Sequence, residues 1–143
     1  ILEDANLLIY ANDLSSPVHE RARVWLTGAL SGEEPVGLCW TTILAFLRIT
    51  TNRAIFKDPF SIDEAVSIVD DWLAQPTVRL VEAGGHHWVI LRELLTDSQA
   101  KGQLLMDAHL AALALEHGLT LFTRDGDFTE FRGLDFVNPF IAE

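Results

Sequence analysis

The stretch that most constrains this chain is residues 104–128, LLMDAHLAALALEHGLTLFTRDGDF. Leu104, Ala108, Ala111, Ala112 and Leu115 recur at helical spacing and define one apolar face. Asp107 falls on that face, between Leu104 and Ala111, whereas His109 and Glu116 are expected to point to water. Gly118 ends the helix, where a residue with positive φ is wanted. Leu119, Leu121 and Phe122 then read as a short, buried parallel strand that runs into Thr123-Arg124-Asp125-Gly126-Asp127. A carboxylate on the apolar face of an Ala-rich helix is unfavourable unless it is paired or bound to a cation. Carboxylates at the carboxyl end of the next strand stand where open α/β sheets bind ligands. Together they predict a hard-metal site built from oxygen ligands. Such a site requires at least one more acid at the same end of the sheet.

The 143 residues are enough for one domain with a real core, spanning 1–143. With 49% apolar and 22% charged residues the class is globular and soluble. No run approaches the ~20 apolar residues of a membrane span. Residues 1–10 are apolar but carry Asp4 and lack a basic n-region, so no secretory signal is expected. The single cysteine, Cys39, cannot form an intrachain disulfide, which makes the cytoplasm the expected compartment. It stands in an apolar run and reads as a small core residue. The formal net charge of -11 argues against a broad electrostatic grip on nucleic acid. It fits a carboxylate-dense site that needs divalent cations, and it leaves room for a local basic patch or a basic partner.

Taken in order, residues 1–4 read as a first strand and Ala5 to Asn12 as a helix packed on the sheet. Ser16-Pro17 is a helix start, with Ser16 as N-cap and a buried stripe of Val18, Ala22, Trp25, Leu26 and Ala29. Val36 to Cys39 is a second strand, after which Thr41 or Thr42 caps a helix through Ile49. Ser61-x-x-Glu64 is a capping box opening a helix with Ala65, Ile68, Val69 and Trp72 inward. Val78 to Val81 is a third strand, Gly84-Gly85 a turn, and His87 to Leu95 a helix. Residues 96–102 read as a polar loop before the stretch already described. Phe128 to Phe131 is one helical turn and Asp135 to Val137 a last strand. Strands alternating with helical segments predict an α/β fold, a central parallel sheet flanked by helices on both faces.

The acids have competing structural readings. Asp4, between a strand and a helix, is placed equally well to cap the helix or to face a ligand; the end of a first strand favours the ligand. Asp127-Phe128-Thr129-Glu130 fits an N-cap with Glu at N3, so Asp127 has a structural alternative that Asp125 lacks. Arg48, Arg53 and Lys57 form a local basic patch on an acidic chain, read either as solvated charge or as contacts to the phosphates of a ligand. Trp40 is expected in the core rather than as a base-stacking platform. His86 and His87 are adjacent and no His-x-x-x-His pair occurs, which speaks against zinc. His19 and His117 are expected at the surface.

Three motifs in this order, Asp4-Ala5-Asn6-Leu7-Leu8-Ile9-Tyr10, Asp107-Ala108-His109-Leu110-Ala111-Ala112 and Thr123-Arg124-Asp125-Gly126-Asp127-Phe128, give the chain its likeness to known proteins. It resembles the PIN-domain ribonucleases and, more narrowly, the VapC toxins of mycobacterial toxin–antitoxin pairs, over essentially its whole length. The resemblance implies a single PIN-like domain, Mg²⁺ or Mn²⁺ held by acids at the carboxyl end of the sheet, and hydrolysis of RNA phosphodiesters. Carried over, Asp4, Asp107 and Asp125 are the principal acids and Asp127 a possible fourth metal ligand, with Asn6 and Thr123 in support; under this reading the basic patch, Arg48 and Arg53 above all, would contact the RNA. The resemblance also implies a homodimer and a VapB-like antitoxin; the stripe of Val18, Trp25 and Leu26, with the helix at Ser61, is the groove expected to receive it. One departure stands out. Where the family often carries a glutamate in a Glu-Leu-x-Arg pattern, this chain has Ala45-Phe46-Leu47-Arg48. The alternative is therefore a degenerate PIN domain that binds its antitoxin without nuclease activity. A haloacid-dehalogenase-type phosphatase would want an Asp at Asn6, a receiver domain would want a lysine late in the sheet, and no Gly-rich phosphate loop is present.

Overall fold

The computed structural model describes residues 1–140. Five short strands form one sheet: β1 (Leu2–Glu3), β2 (Val36–Leu38), β3 (Val78–Leu80), β4 (Leu121–Phe122) and β5 (Phe136–Val137). Their spatial order is β3-β2-β1-β4-β5, and every pairing is parallel. Six helices connect them: α1 (Ala5–Asn12), α2 (His19–Ser31), α3 (Trp40–Thr50), α4 (Ile62–Leu73), α5 (His87–Ser98) and α6 (Gln103–His117). A 3-10 turn spans Gly126–Glu130.

Alternation along the strands divides the core in two. Val36, Leu38 and Phe122 face α1 to α4, where Phe46 meets Trp72 edge-on at 4.6 Å. Leu2 and Leu121 face the other way, against Ala108, Ala111, Ala112 and Leu113 of α6 and Leu94 of α5. The small alanines let α6 lie close on the sheet. Gly37, opposite Leu2, is needed for the same reason, since a Cβ there would meet Val81 Cγ2 at 2.7 Å. Both faces are covered, as an all-parallel sheet requires.

Several helix boundaries differ from those expected. α2 starts at His19, not Pro17. Asp13 and Ser16 use their side-chain oxygens to close local turns onto the amides of Ser15 and Val18, at 3.0 and 3.2 Å, and so compete with a helix start. α3 starts at Trp40 with Cys39 in the N-cap position. Thr42 is not a cap; its hydroxyl donates to the Glu3 carbonyl at 3.3 Å and ties α3 to β1. Trp40 is 49% exposed rather than in the core, because Thr42, Ile43, Phe46 and Thr50 make up the inward face of α3. α5 continues through Thr96 and Ser98, whose hydroxyls donate back to the carbonyls of Arg92 and Leu94. The capping box on α4 forms in full: the Glu64 amide donates to Ser61 Oγ at 3.1 Å, and the Ser61 amide to Glu64 Oε1 at 2.9 Å. Gly118 ends α6 at φ 65°, in the left-handed region.

Candidate active site

The strand order reverses direction between β1 and β4. The chain runs outward from β1 through β2 to β3, then returns to lay β4 on the other side. The carboxyl ends of β1 and β4 therefore flank the crevice where open α/β sheets bind ligands. Asp4 follows β1 directly, and Asp125 stands just beyond β4. The first turns of α6 bring Asp107 to the same place. These three acids line one open cleft of about 610 Å³, together with Asn6, Ala45 and Arg48.

Thr123 organises the floor. It is 1% exposed and its hydroxyl is fully used. Oγ1 donates to Asp4 Oδ2 at 2.7 Å and accepts from Asn6 Nδ2 at 3.3 Å and from the Asp125 amide at 3.0 Å. One hydroxyl offers one donor and two acceptor lone pairs, so this hub is complete. Asn6 Oδ1 in turn accepts the Arg124 amide at 3.4 Å. Asp4 holds the N-cap position of α1 but makes no capping hydrogen bond; its side chain goes to Thr123. Asp125, not Asp127, caps the 3-10 turn: its Oδ1 accepts the Asp127 amide at 2.8 Å. The turn does not depend on Gly126, whose φ is not positive and where a Cβ would meet nothing within 4 Å.

The electrostatics are those of under-neutralised acids. Burial first, and then the like charges of Asp4, Asp125 and Asp127, together push Asp107 up to about 6. Burial likewise raises Asp4; the bond from Thr123 and the amides at the start of α1 oppose the rise, and Asp125 adds to it. Among the described residues no lysine or arginine forms an ion pair with any of these four acids. Asp127 is exposed and off the cleft wall, within electrostatic reach of Asp107. Arg48 lies on the cleft wall, whereas Arg53 is exposed in the turn beyond α3 and does not line it.

An all-oxygen donor set with excess negative charge suits a hard divalent cation. Among the described residues no three acids or histidines already close around a common point. A cation that keeps several waters and takes only one or two carboxylates, as Mg²⁺ does, still fits such an open arrangement.

A family model described as PIN domain matches residues 1–134. The chain belongs to the PIN domain family. Among its relatives, Ribonuclease VapC37 of Mycobacterium tuberculosis is 41% identical over 136 residues, covering 95% of this chain and 94% of the relative. Ribonuclease VapC33 of the same organism is 34% identical over 139 residues, covering 97% of each chain. Two solved structures share the PIN fold at low identity. The Neisseria gonorrhoeae FitAcB structure aligns with a TM-score of 0.66 at 19% identity, covering 99% of both chains. Mycobacterium tuberculosis VapC20, described as a sarcin-ricin loop cleaving toxin, aligns with a TM-score of 0.65 at 18% identity, covering 90% of this chain and 92% of that one. No helix among the described residues is long and apolar enough to cross a membrane.

Against this PIN framework, Ala45 lies on the cleft wall, at the place where the resemblance puts a glutamate. Other expectations need correction. His109 and Glu116 do not point to water; they face α5. His109 Nδ1 lies 3.0 Å from His87 Nε2, and Glu116 accepts the amides of Gly84 and His86 at 2.8 and 3.0 Å. A helix as apolar as α6 leaves little face to solvent, so its polar residues pack against the start of α5. His19 is half-buried, with Nδ1 on the Tyr10 carbonyl at 3.0 Å. The proposed antitoxin stripe is consumed internally: Val18 and Leu26 are buried in the core, and Trp25 stacks on Phe122 at 5.4 Å.

Two features escaped the sequence. Glu3 is 0% exposed, and neither carboxyl oxygen has a hydrogen-bond partner. It pairs in register with Phe122 and shares its face of the sheet, towards the α1–α4 core. Burial holds its carboxyl well above the ordinary range. Strand alternation was the available signal, since Glu3 must face opposite to Leu2. The second feature is Arg124, whose guanidinium lies 5.3 Å from the centre of the Tyr10 ring.

Proposed function

We propose that this PIN domain is a metal-dependent endoribonuclease, the toxin of a VapBC-type pair, hydrolysing RNA phosphodiester bonds. The observation that carries the reading is the convergence of Asp4, Asp107 and Asp125 on one cleft, with Asp107 pushed up to about 6 and no cationic partner. The relatives named as VapC ribonucleases support the same reading.

Asp4, Asp107 and Asp125 would hold Mg²⁺ or Mn²⁺, with Asp127 at the rim. When bound, such an ion polarises the scissile phosphate and lowers the pKa of an attacking water. The chain's own residues prepare this site. Thr123 fixes one oxygen of Asp4, and Asn6 fixes Thr123. Asp125 commits Oδ1 to the Asp127 amide and keeps Oδ2 for the cleft. Arg48 offers positive charge to the phosphate backbone from the α3 wall.

The protein acts in the cytoplasm as a homodimer, held inactive by a VapB-like antitoxin. A groove lined by Ile9, Leu14, Phe56 and Phe60 adjoins the acid cleft through Ile9 and is the better candidate for the antitoxin. Leu14 is largely exposed there. Leu14→Glu should weaken binding of the short protein encoded beside this gene; unchanged affinity would reassign the surface.

The purified protein should cut RNA with Mn²⁺ or Mg²⁺ and not in chelator. Unchanged cleavage by Asp4→Asn or Asp107→Asn would overturn the assigned roles. Ala45 favours a second reading, a PIN domain that binds its antitoxin without turnover. Calorimetry showing no Mn²⁺ binding, with antitoxin binding intact, would establish it.

A further inference from the structure

The arginines of this acidic chain are used unevenly. Arg23 pairs with Glu20 and Arg132 with Asp97. Arg21 and Arg79 donate to backbone carbonyls. Arg124 does neither. It is exposed, and among the described residues its guanidinium makes no ion pair and no hydrogen bond, although Asp125 is its neighbour in the chain and Asp127 lies three residues on. Instead the side chain is drawn over the Tyr10 ring on α1. A cation–π contact of this kind is a weak attraction at an exposed position, but it directs the group. Its backbone is also held, since the Arg124 amide donates to Asn6 Oδ1, and Asn6 sits one helical turn before Tyr10.

We infer that Arg124, held over Tyr10, is a phosphate clamp for the RNA strand just outside the acid cleft on the β4 side; it does not line the cleft as Arg48 does, but it adjoins Asp125, which does. The inference rests on the nuclease reading and deepens it. Tyr10 covers one face of the guanidinium and leaves its edge N–H donors free, and that edge is the part that pairs with phosphate oxygens. The same contact keeps the arginine from folding onto Asp125, where it would neutralise a carboxylate the cation needs. The chain as a whole carries -11 and repels a polyanion, so any RNA that reaches the acids needs local positive charge beside them. Arg48 supplies it from the cleft wall and Arg124 from outside the wall, next to Asp125 in the chain. Arg124 is a binding residue here, and Tyr10 a positioning residue that acts through it.

The experiment uses the full chain and a fluorescently labelled single-stranded RNA, followed by Mn²⁺-dependent cleavage and, separately, by anisotropy in Ca²⁺. Arg124→Ala should raise KM and the anisotropy Kd about tenfold, the scale of one charge-assisted hydrogen bond. It should leave kcat within about twofold and make the slope of log Kd against log salt shallower by roughly one. Arg124→Lys should recover part of the affinity. Tyr10→Phe should behave as wild type, and Tyr10→Leu should lose affinity without losing Tm. Arg92→Ala removes an exposed cation on α5, away from the cleft, and should change nothing. Wild-type affinity and salt slope in Arg124→Ala, with wild-type cleavage intact, would overturn the clamp alone. Loss of kcat at unchanged KM would also overturn it, by placing Arg124 in the chemistry. A wild-type protein that neither binds nor cuts RNA would remove the nuclease reading, and the clamp with it.

Discussion

On α6, Asp107 faces the cleft, and His109, two residues on, faces α5. Both are half-buried, yet their surroundings differ. Around Asp107 lie three more carboxylates, and burial and like charge hold it up to about 6. Around His109 lies a seam in which polar groups answer one another: His87 meets His109, and Glu116 takes the amides of the turn before α5. There burial, then His87, lowers the His109 pKa. In the seam one buried ring nitrogen, His87 Nδ1, has no hydrogen-bond partner and lies 3.9 Å from Glu116 Oε1, whereas the cleft gathers carboxylates that no lysine or arginine among the described residues pairs with. Sites for ligands are recognisable by that deficit.

The contrast can be broken most forcefully at Asp107. Asp107→Asn should reduce Mn²⁺-dependent cleavage by about 100-fold or more. It should also stabilise the metal-free protein at pH 8 by about 1 kcal/mol, once solvent screening of this partly exposed group is allowed for. A destabilised, still active variant would erase the distinction between cleft and seam. Glu3 gives the next effect. Its buried, unpartnered carboxyl belongs to neither region, and Glu3→Leu should raise stability by about 2 kcal/mol at neutral pH, read by urea melts.

The two regions should respond to pH with opposite signs. Glu3, Asp4 and Asp107 have raised pKa values in the fold. Their contribution is fully present below the ordinary carboxylate range near 4. For Asp107 it is lost as pH rises through about 6. The metal-free protein should therefore lose stability from about pH 4 to above pH 6, and saturating Mn²⁺ should reverse the loss by binding the ionised cleft. His109 is lowered, so its contribution is present above about 6.5 and lost as pH falls below it. His109→Gln should flatten that acid limb alone. The smallest effect is expected from Glu116→Ala, a modest fall in Tm with wild-type Mn²⁺ affinity. A drop in metal affinity would show that the seam governs the cleft.

Much of the cleft was legible because burying charge is so unfavourable. Asp107 on an alanine face was a contradiction in local terms, and a contradiction of that kind points to a site. The Ser61–Glu64 box and Gly118 were legible because their bonding is local. What failed was whatever depended on a neighbour far along the chain. Trp40 looked like core until Phe46 filled the space. His109 and Glu116 looked solvated until α5 covered them. Glu3 passed as one more residue of the first strand, not as a sealed carboxyl without a partner. Arg124 met Tyr10 across 114 positions of sequence, a distance no window detects.

The pairing of β1 with β4 has a consequence for synthesis. While the ribosome has released only the first hundred residues, the chain holds Asp4 and lacks both of the acids it must meet. The strand that closes the cleft follows β1 by more than a hundred residues, so this contact is long-range and must await synthesis of both segments.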